Sequence, residues 1–151
     1  MLFNSKLGID KIRSFDIDET CASIAEAINK TEVRDEWKFK ASTLDIHDLQ
    51  YEGFPYVTLR SDGSLVELVD TADTVINTSC EHIENFNSWY YVIPKDTLVI
   101  LQSNNYEEIS DHVNCSKTIE EFSISTPMSK VLYEGELFLP TYTRFMKIGY
   151  K

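Results

Sequence analysis

Cys80-x-His82 and, further along, His112-x-x-Cys115 are the side chains in this sequence best suited to hold a metal ion or to drive nucleophilic chemistry. Thiolates and imidazoles are natural zinc ligands, and two of each make a common structural zinc set. The spacings are looser than those of a zinc finger, and neither pair sits on a glycine-containing turn. The reading favoured by the sequence puts Cys80 and Cys115 at apolar helix positions as small hydrophobes, with His82 and His112 in solvent. No cysteine or serine lies in a nucleophile-elbow pattern, and five glycines are too few and too scattered to cradle a phosphate. The expectation is a chain that is not an enzyme and carries no cofactor.

Carboxylates are the other chemistry on offer. From Ser61 to Ser116 ten of them (Asp62, Glu67, Asp70, Asp73, Glu81, Glu84, Asp96, Glu107, Glu108 and Asp111) stand against Lys95 alone, so this segment carries −9 of the chain's net −11. Such a field repels phosphate backbones and anionic membranes and attracts a basic protein. Amphipathic rings lie close by in sequence: Trp89, Tyr90, Tyr91 and Tyr106. Charges that steer a partner and rings that anchor it are what a cognate protein interface needs. Asp70, Asp73, Glu81, Glu84, Tyr106, Glu107, Glu108 and Asp111 are therefore the candidate partner-binding residues.

These groups must be positioned by the rest of the chain. Ser88–Gln102 reads as a central hairpin: β-rich apolar runs Trp89–Ile93 and Thr97–Leu101 flank Pro94-Lys95-Asp96. A helix is expected over Glu19–Lys30, capped by Asp18, with Cys21, Ile24, Ala25 and Ile28 as a stripe that packs on the sheet. One helical turn is expected over Ile9–Ile12, and a half-exposed strand over Val33–Lys40. Leu44–Tyr51 fits neither period. Tyr56–Arg60 and Leu65–Asp70 form a hairpin about Ser61-Asp62-Gly63-Ser64, and Thr74–Asn77 adds a short strand. Thr78 and Glu81 have capping-box spacing ahead of a short helix to Phe86, as do Thr118 and Glu121 ahead of a turn at Thr118–Phe122. Asn105 is placed to cap a helix Tyr106–Val113. Val131–Leu139 and Tyr142–Tyr150 are two final strands. The expected architecture is α+β: a mostly antiparallel sheet with a few short helices packed on one face.

The 151 residues suit a single domain, 1–151, and 42% hydrophobic content argues against disorder. No apolar run approaches the ~18 residues of a membrane span, and the N-terminus lacks a secretory layout. Three cysteines, an odd and sparse set, fit free thiols in a reducing compartment, so a cytoplasmic monomer or dimer is expected.

Two resemblances bear on function. Asp16-Ile17-Asp18-Glu19-Thr20 resembles the Asp-x-Asp-x-Thr nucleophile motif of haloacid-dehalogenase-type phosphatases. That resemblance implies attack on phosphorus by Asp16 and proton handling by Asp18. The preceding DKIRSF reads as charged rather than as a buried strand, no later Gly-Asp-x-x-x-Asp motif follows, and helix capping explains the same residues. In size, acidity and α+β character the chain resembles the immunity proteins of bacterial polymorphic toxin systems. That resemblance implies a binding protein that neutralises a basic toxin domain, a nuclease among them, without touching nucleic acid itself. The alternatives are a nucleic-acid mimic, which needs carboxylates in rows, a small-ligand or metal-binding domain, and a small hydrolase.

Overall fold

The computed structural model describes residues 3, 5–34, 37–60 and 62–151, without the side chains of 58 and 59. Helices and strands are both present, which places the chain in the α+β class. Its residues group into two compact units, Met1–Leu49 and Gln50–Lys151.

In the first unit β1 (Ile12–Asp16) is followed by α1 (Glu19–Ile28), α2 (Lys30–Arg34) and β2 (Phe39–Thr43). The strands pair in parallel, from Ile12 opposite Phe39 to Asp16 opposite Thr43. Asp18 caps α1 as expected, its side chain accepting from the Thr20 N–H. Glu26 ties α1 to β2, with Oε1 2.8 Å from Lys40 Nζ and 3.3 Å from the Ala41 nitrogen. Three expectations are corrected here. The turn at Ile9–Ile12 gives way to β1. The strand expected over Val33–Lys40 is helix at its start and begins only at Phe39; Asp35 and Glu36 lie outside the described residues. The helix stops at Ile28, and its stripe is not buried: Ile24 is 56% and Ile28 77% exposed. Between Leu44 and Tyr51, where neither period fitted, Asp45 caps a 3-10 turn, Ile46–Asp48.

The second unit contains a hairpin and a four-stranded sheet. β3 (Phe54–Leu59) and β4 (Leu65–Asp70) pair antiparallel as the sequence predicts, with Gly63 at φ +84° and Asp62 accepting from the Ser64 N–H. Then come β5 (Thr74–Asn77), α3 (Phe86–Val92), β6 (Leu98–Asn104), α4 (Ile119–Ser125), β7 (Lys130–Phe138) and β8 (Thr143–Tyr150). The sheet order is β5-β6-β8-β7, with β5 parallel to β6 and the remaining pairs antiparallel. Parallel neighbours require a crossover connection. Here that crossover is the segment from Thr78 to Thr97, which contains α3.

That crossover overturns the central hairpin. Trp89–Ile93 is not a strand: Phe86, Trp89, Tyr90 and Ile93 fall at i, i+3, i+4 and i+7, and all four are buried. Val99 and Leu101 of β6, Phe122 of α4 and Phe145 of β8 are buried as deeply, at 1% exposure or less. α4 confirms the expected cap, with the Thr118 hydroxyl accepting from the Glu121 N–H. Beneath its last turn Lys147 is 3% exposed; Nζ donates to the Ser123 and Thr126 carbonyls at 3.3 and 2.9 Å and lies 3.8 Å from Glu134. A cation at a helix C-terminus satisfies carbonyls that the helix leaves open. Thr78 and Glu81 form no capping box: Cys80–His82 is a 3-10 turn without a side-chain cap.

Trp89 Nε1 donates to the Tyr51 hydroxyl at 2.7 Å, and the Tyr90 hydroxyl donates to the Pro127 carbonyl at 2.8 Å. Burial pushes both phenols up from 10.0 to about 12, and the Trp89 bond opposes this at Tyr51. The folded chain keeps these phenols protonated where the unfolded chain ionises them. Their contribution to stability is therefore full below pH 10 and is lost as pH rises from 10 towards 12. Urea midpoints taken across that window should decline, and less steeply for Tyr51→Phe. An equal slope in both proteins would show that Tyr51 is not buried as described.

Candidate functional site

The loops that leave β5 and β6 meet at the same end of the sheet, because the two strands run in parallel. Open sheets place ligands beyond the carboxyl ends of such strands. Asn104, 1% exposed at the end of β6, organises the meeting. Its Oδ1 accepts from the Tyr106 N–H at 2.8 Å, its carbonyl accepts from Ser116, and its Nδ2 donates to Glu81 Oε1 at 2.6 Å. Asn114 adds two bonds to the 3-10 turn, from its N–H to the Glu81 carbonyl and from its amide to the Cys80 carbonyl. Asn105 is not a helix cap. Its Oδ1 accepts from Thr143 of β8 at 2.7 Å, and Tyr106–Val113 folds as consecutive turns rather than a helix.

On this pinned loop Glu107, Glu108 and Asp111 are exposed. Among the described residues none has a cation within ion-pair distance. Tyr106 is half-buried: its ring stacks on Tyr142 at 5.5 Å between centroids, and its hydroxyl donates to Glu108 at 3.2 Å. That hydrogen bond, and then the carboxylate charge, pushes the Tyr106 phenol up. Glu84, also exposed, follows the 3-10 turn at this end.

The remaining nominations lie elsewhere. Asp73 precedes β5, and its carbonyl accepts from Leu98, the first residue of β6. At ~3.3 Å per residue it stands about 20 Å from the loop, at the opposite end of the strand. Asp70 ends β4 and is half-buried. Glu81 is 2% exposed, which removes it from any exposed face. The eight nominated residues therefore do not form one surface. Glu84, Tyr106, Glu107, Glu108 and Asp111 share the loop end.

Glu81 leads to a juxtaposition that sequence reasoning missed. One of its carboxylate oxygens and a ring nitrogen from each of His82 and His112 lie within 4.8 Å of one another. The two imidazoles meet edge to face, 4.6 Å between centroids. His112 Nδ1 is 2.5 Å from the Tyr106 carbonyl and His82 Nδ1 is 3.0 Å from the Asp111 carbonyl. A carbonyl can only accept, so each of these contacts is donated by Nδ1–H and leaves Nε2 outside it. Glu81 Oε1 is bonded to Asn104, whereas Oε2, also buried, has no hydrogen-bond partner among the described residues. The sequence had paired His82 with His112 as candidate ligands, but with Cys80 and Cys115; nothing local marked Glu81 as the third member.

The four-residue zinc set does not assemble. Cys80 is fully buried, as the small-hydrophobe reading predicts, with Sγ 3.7 Å from the Asn77 carbonyl. Burial raises its thiol far above the usual range. Cys115 Sγ lies on the Nδ1 side of His112, 3.8 Å from that nitrogen and 3.3 Å from the Tyr106 carbonyl. His82 is exposed and His112 half-buried, and all three cysteines are free thiols.

In the first unit Asp16 ends β1 and accepts from the Asp18 N–H at 2.9 Å; Asp18 accepts from the Thr20 N–H and hydroxyl at 2.8 and 2.7 Å. These bonds, the backbone one foremost, hold the Asp18 carboxyl below its usual value. The pair caps a helix, as read. The strand before it corrects the expectation that DKIRSF is not strand. Nearby, Cys21 and the exposed α1 stripe line an open depression of about 290 Å3 with Ser14, Ala41 and Ser42.

Compared with the known protein families the sequence matches none, and no curated protein matches it. No helix among the described residues is long and apolar enough to cross a membrane.

Proposed function

We propose that the chain is a non-catalytic binding protein that neutralises a basic partner, in the manner of an immunity protein acting in the cytoplasm on a toxin domain. The contact is assigned to Glu84, Glu107, Glu108 and Asp111, with Tyr106 as the aromatic anchor. What supports this reading is the exposed loop Tyr106–Asp111, whose carboxylates lack counter-ions among the described residues and whose backbone is held at both ends. A loop already fixed in place loses little entropy on docking. Unpaired carboxylates on it attract a basic surface from a distance and accelerate encounter.

Reversing Glu107, Glu108 and Asp111 to lysine tests the assignment. Wild-type protein should retain a basic partner from a lysate at low salt and release it at high salt, and the variant should retain none. With the partner in hand, the association rate should drop by roughly one to two orders of magnitude and lose most of its salt dependence. An unchanged rate would remove this loop from the contact.

A further inference from the structure

The acidic loop does not account for the buried end of the cluster beneath it. A carboxylate 2% exposed, with one oxygen lacking any hydrogen-bond partner among the described residues, is a costly thing to keep in a protein interior. Two imidazoles stand beside it, each fixed through Nδ1 by a backbone carbonyl, which leaves Nε2 to face a ligand. Metal-binding histidines characteristically donate their second nitrogen to a carbonyl or carboxylate in just this way.

We propose that Glu81, His82 and His112 form a binding site for a divalent first-row transition cation, zinc foremost, with its fourth position open to solvent. Two imidazoles and one carboxylate are a known three-ligand zinc set, and imidazole favours zinc over magnesium or calcium. Tetrahedral ligands at about 2.0–2.1 Å from zinc lie about 3.4 Å apart. Binding therefore draws the triad together by about 1.4 Å from its present 4.8 Å spread, a movement open to the exposed His82 ring. Asn104 positions Glu81 through Oε1 and leaves Oε2 for the ion. Asp111 and Tyr106 orient the rings from behind. Cys115 and Cys80 stand outside the set, for the contacts given above. The bound ion would join the 3-10 turn after β5 to the loop after β6.

The test is titration of the metal-free full chain with zinc chloride, followed by calorimetry and by thermal unfolding, with excess magnesium present to mask the acidic surface. One equivalent should bind and raise the unfolding temperature. His82→Ala and His112→Ala should each weaken binding at least tenfold and abolish the thermal shift. Because Glu81 is buried, Glu81→Gln is read only against its own metal-free unfolding curve; it should fold and gain no stability from zinc. His82→Ala, at an exposed position, keeps the test decisive even if Glu81→Gln fails to fold. Zinc that binds equally well to the His82→Ala, His112→Ala double variant, or several weak equivalents displaced by magnesium, would overturn the site.

Discussion

Replacing Trp89 with alanine is expected to cost about 3–5 kcal/mol, enough to leave the second unit at or beyond the edge of folding. Trp89 is 1% exposed, packs against Phe86 at 5.3 Å between ring centroids, and holds the Tyr51 hydroxyl through Nε1. Removing the indole therefore opens a cavity at the centre of the helical stripe and leaves the buried Tyr51 oxygen without its donor. Two terms act together, the lost packing and the orphaned polar group. Trp89→Phe weakens both terms unequally. It loses the N–H but keeps a ring that fills most of the site, so a smaller loss of about 2–3 kcal/mol is expected. Urea unfolding followed by circular dichroism would give both values. A Trp89→Ala protein as stable as wild type would mean that Trp89 is not buried in α3 as described.

Gly149→Ala should also destabilise the second unit, by about 2–3 kcal/mol, for a reason that lies in the backbone. Gly149 is in β8, opposite Val99 of β6 on one side and Val131 of β7 on the other. A β-carbon there would strike the Lys130 carbonyl oxygen and stand 2.6 Å from Met128 Sδ. The methionine can swing away, but the carbonyl belongs to β7 and moves only if that strand moves. The expected signature is local, with faster hydrogen exchange at β7 and β8 amides, alongside a lower urea midpoint. Unaltered exchange with an unaltered midpoint would show that β7 passes β8 with more room than the structure allows.

What could be read from the sequence was what neighbours in the chain decide. The Asp18 cap, the Asp62-Gly63 turn and the Thr118 cap each satisfy backbone groups two or three residues away, so residue type and spacing sufficed. α3 was missed although its period is written in Phe86, Trp89, Tyr90 and Ile93. Tyr91 and Val92, 83% and 51% exposed, fill the solvent side with apolar residues and hide the alternation. With that helix taken for a strand, the crossover vanished and β5 could not be recognised as parallel to β6. The loop end was hidden for a different reason. Asn105 is engaged by Thr143 and Glu81 is buried by Asn104, partners 38 and 23 positions away that no local pattern announces. The acidic nominations followed charge alone, which does not say at which end of a strand a carboxylate lies.

β7 has a consequence for handling the protein. It forms one edge of the four-stranded sheet, runs nine residues, and exposes Val131, Leu132, Tyr133, Leu137 and Phe138 by about half or more. Its outer side presents unfilled backbone donors and acceptors, a template on which a second copy could lay its own β7 and start an aggregate. The bulge between Val131 and Tyr133 and the charges of Lys130, Glu134 and Glu136 are the gatekeepers that oppose such stacking. Approaching the isoelectric point of about 4.6 lowers the repulsion between whole molecules, so mildly acidic, concentrated solutions are where this chain should first turn cloudy.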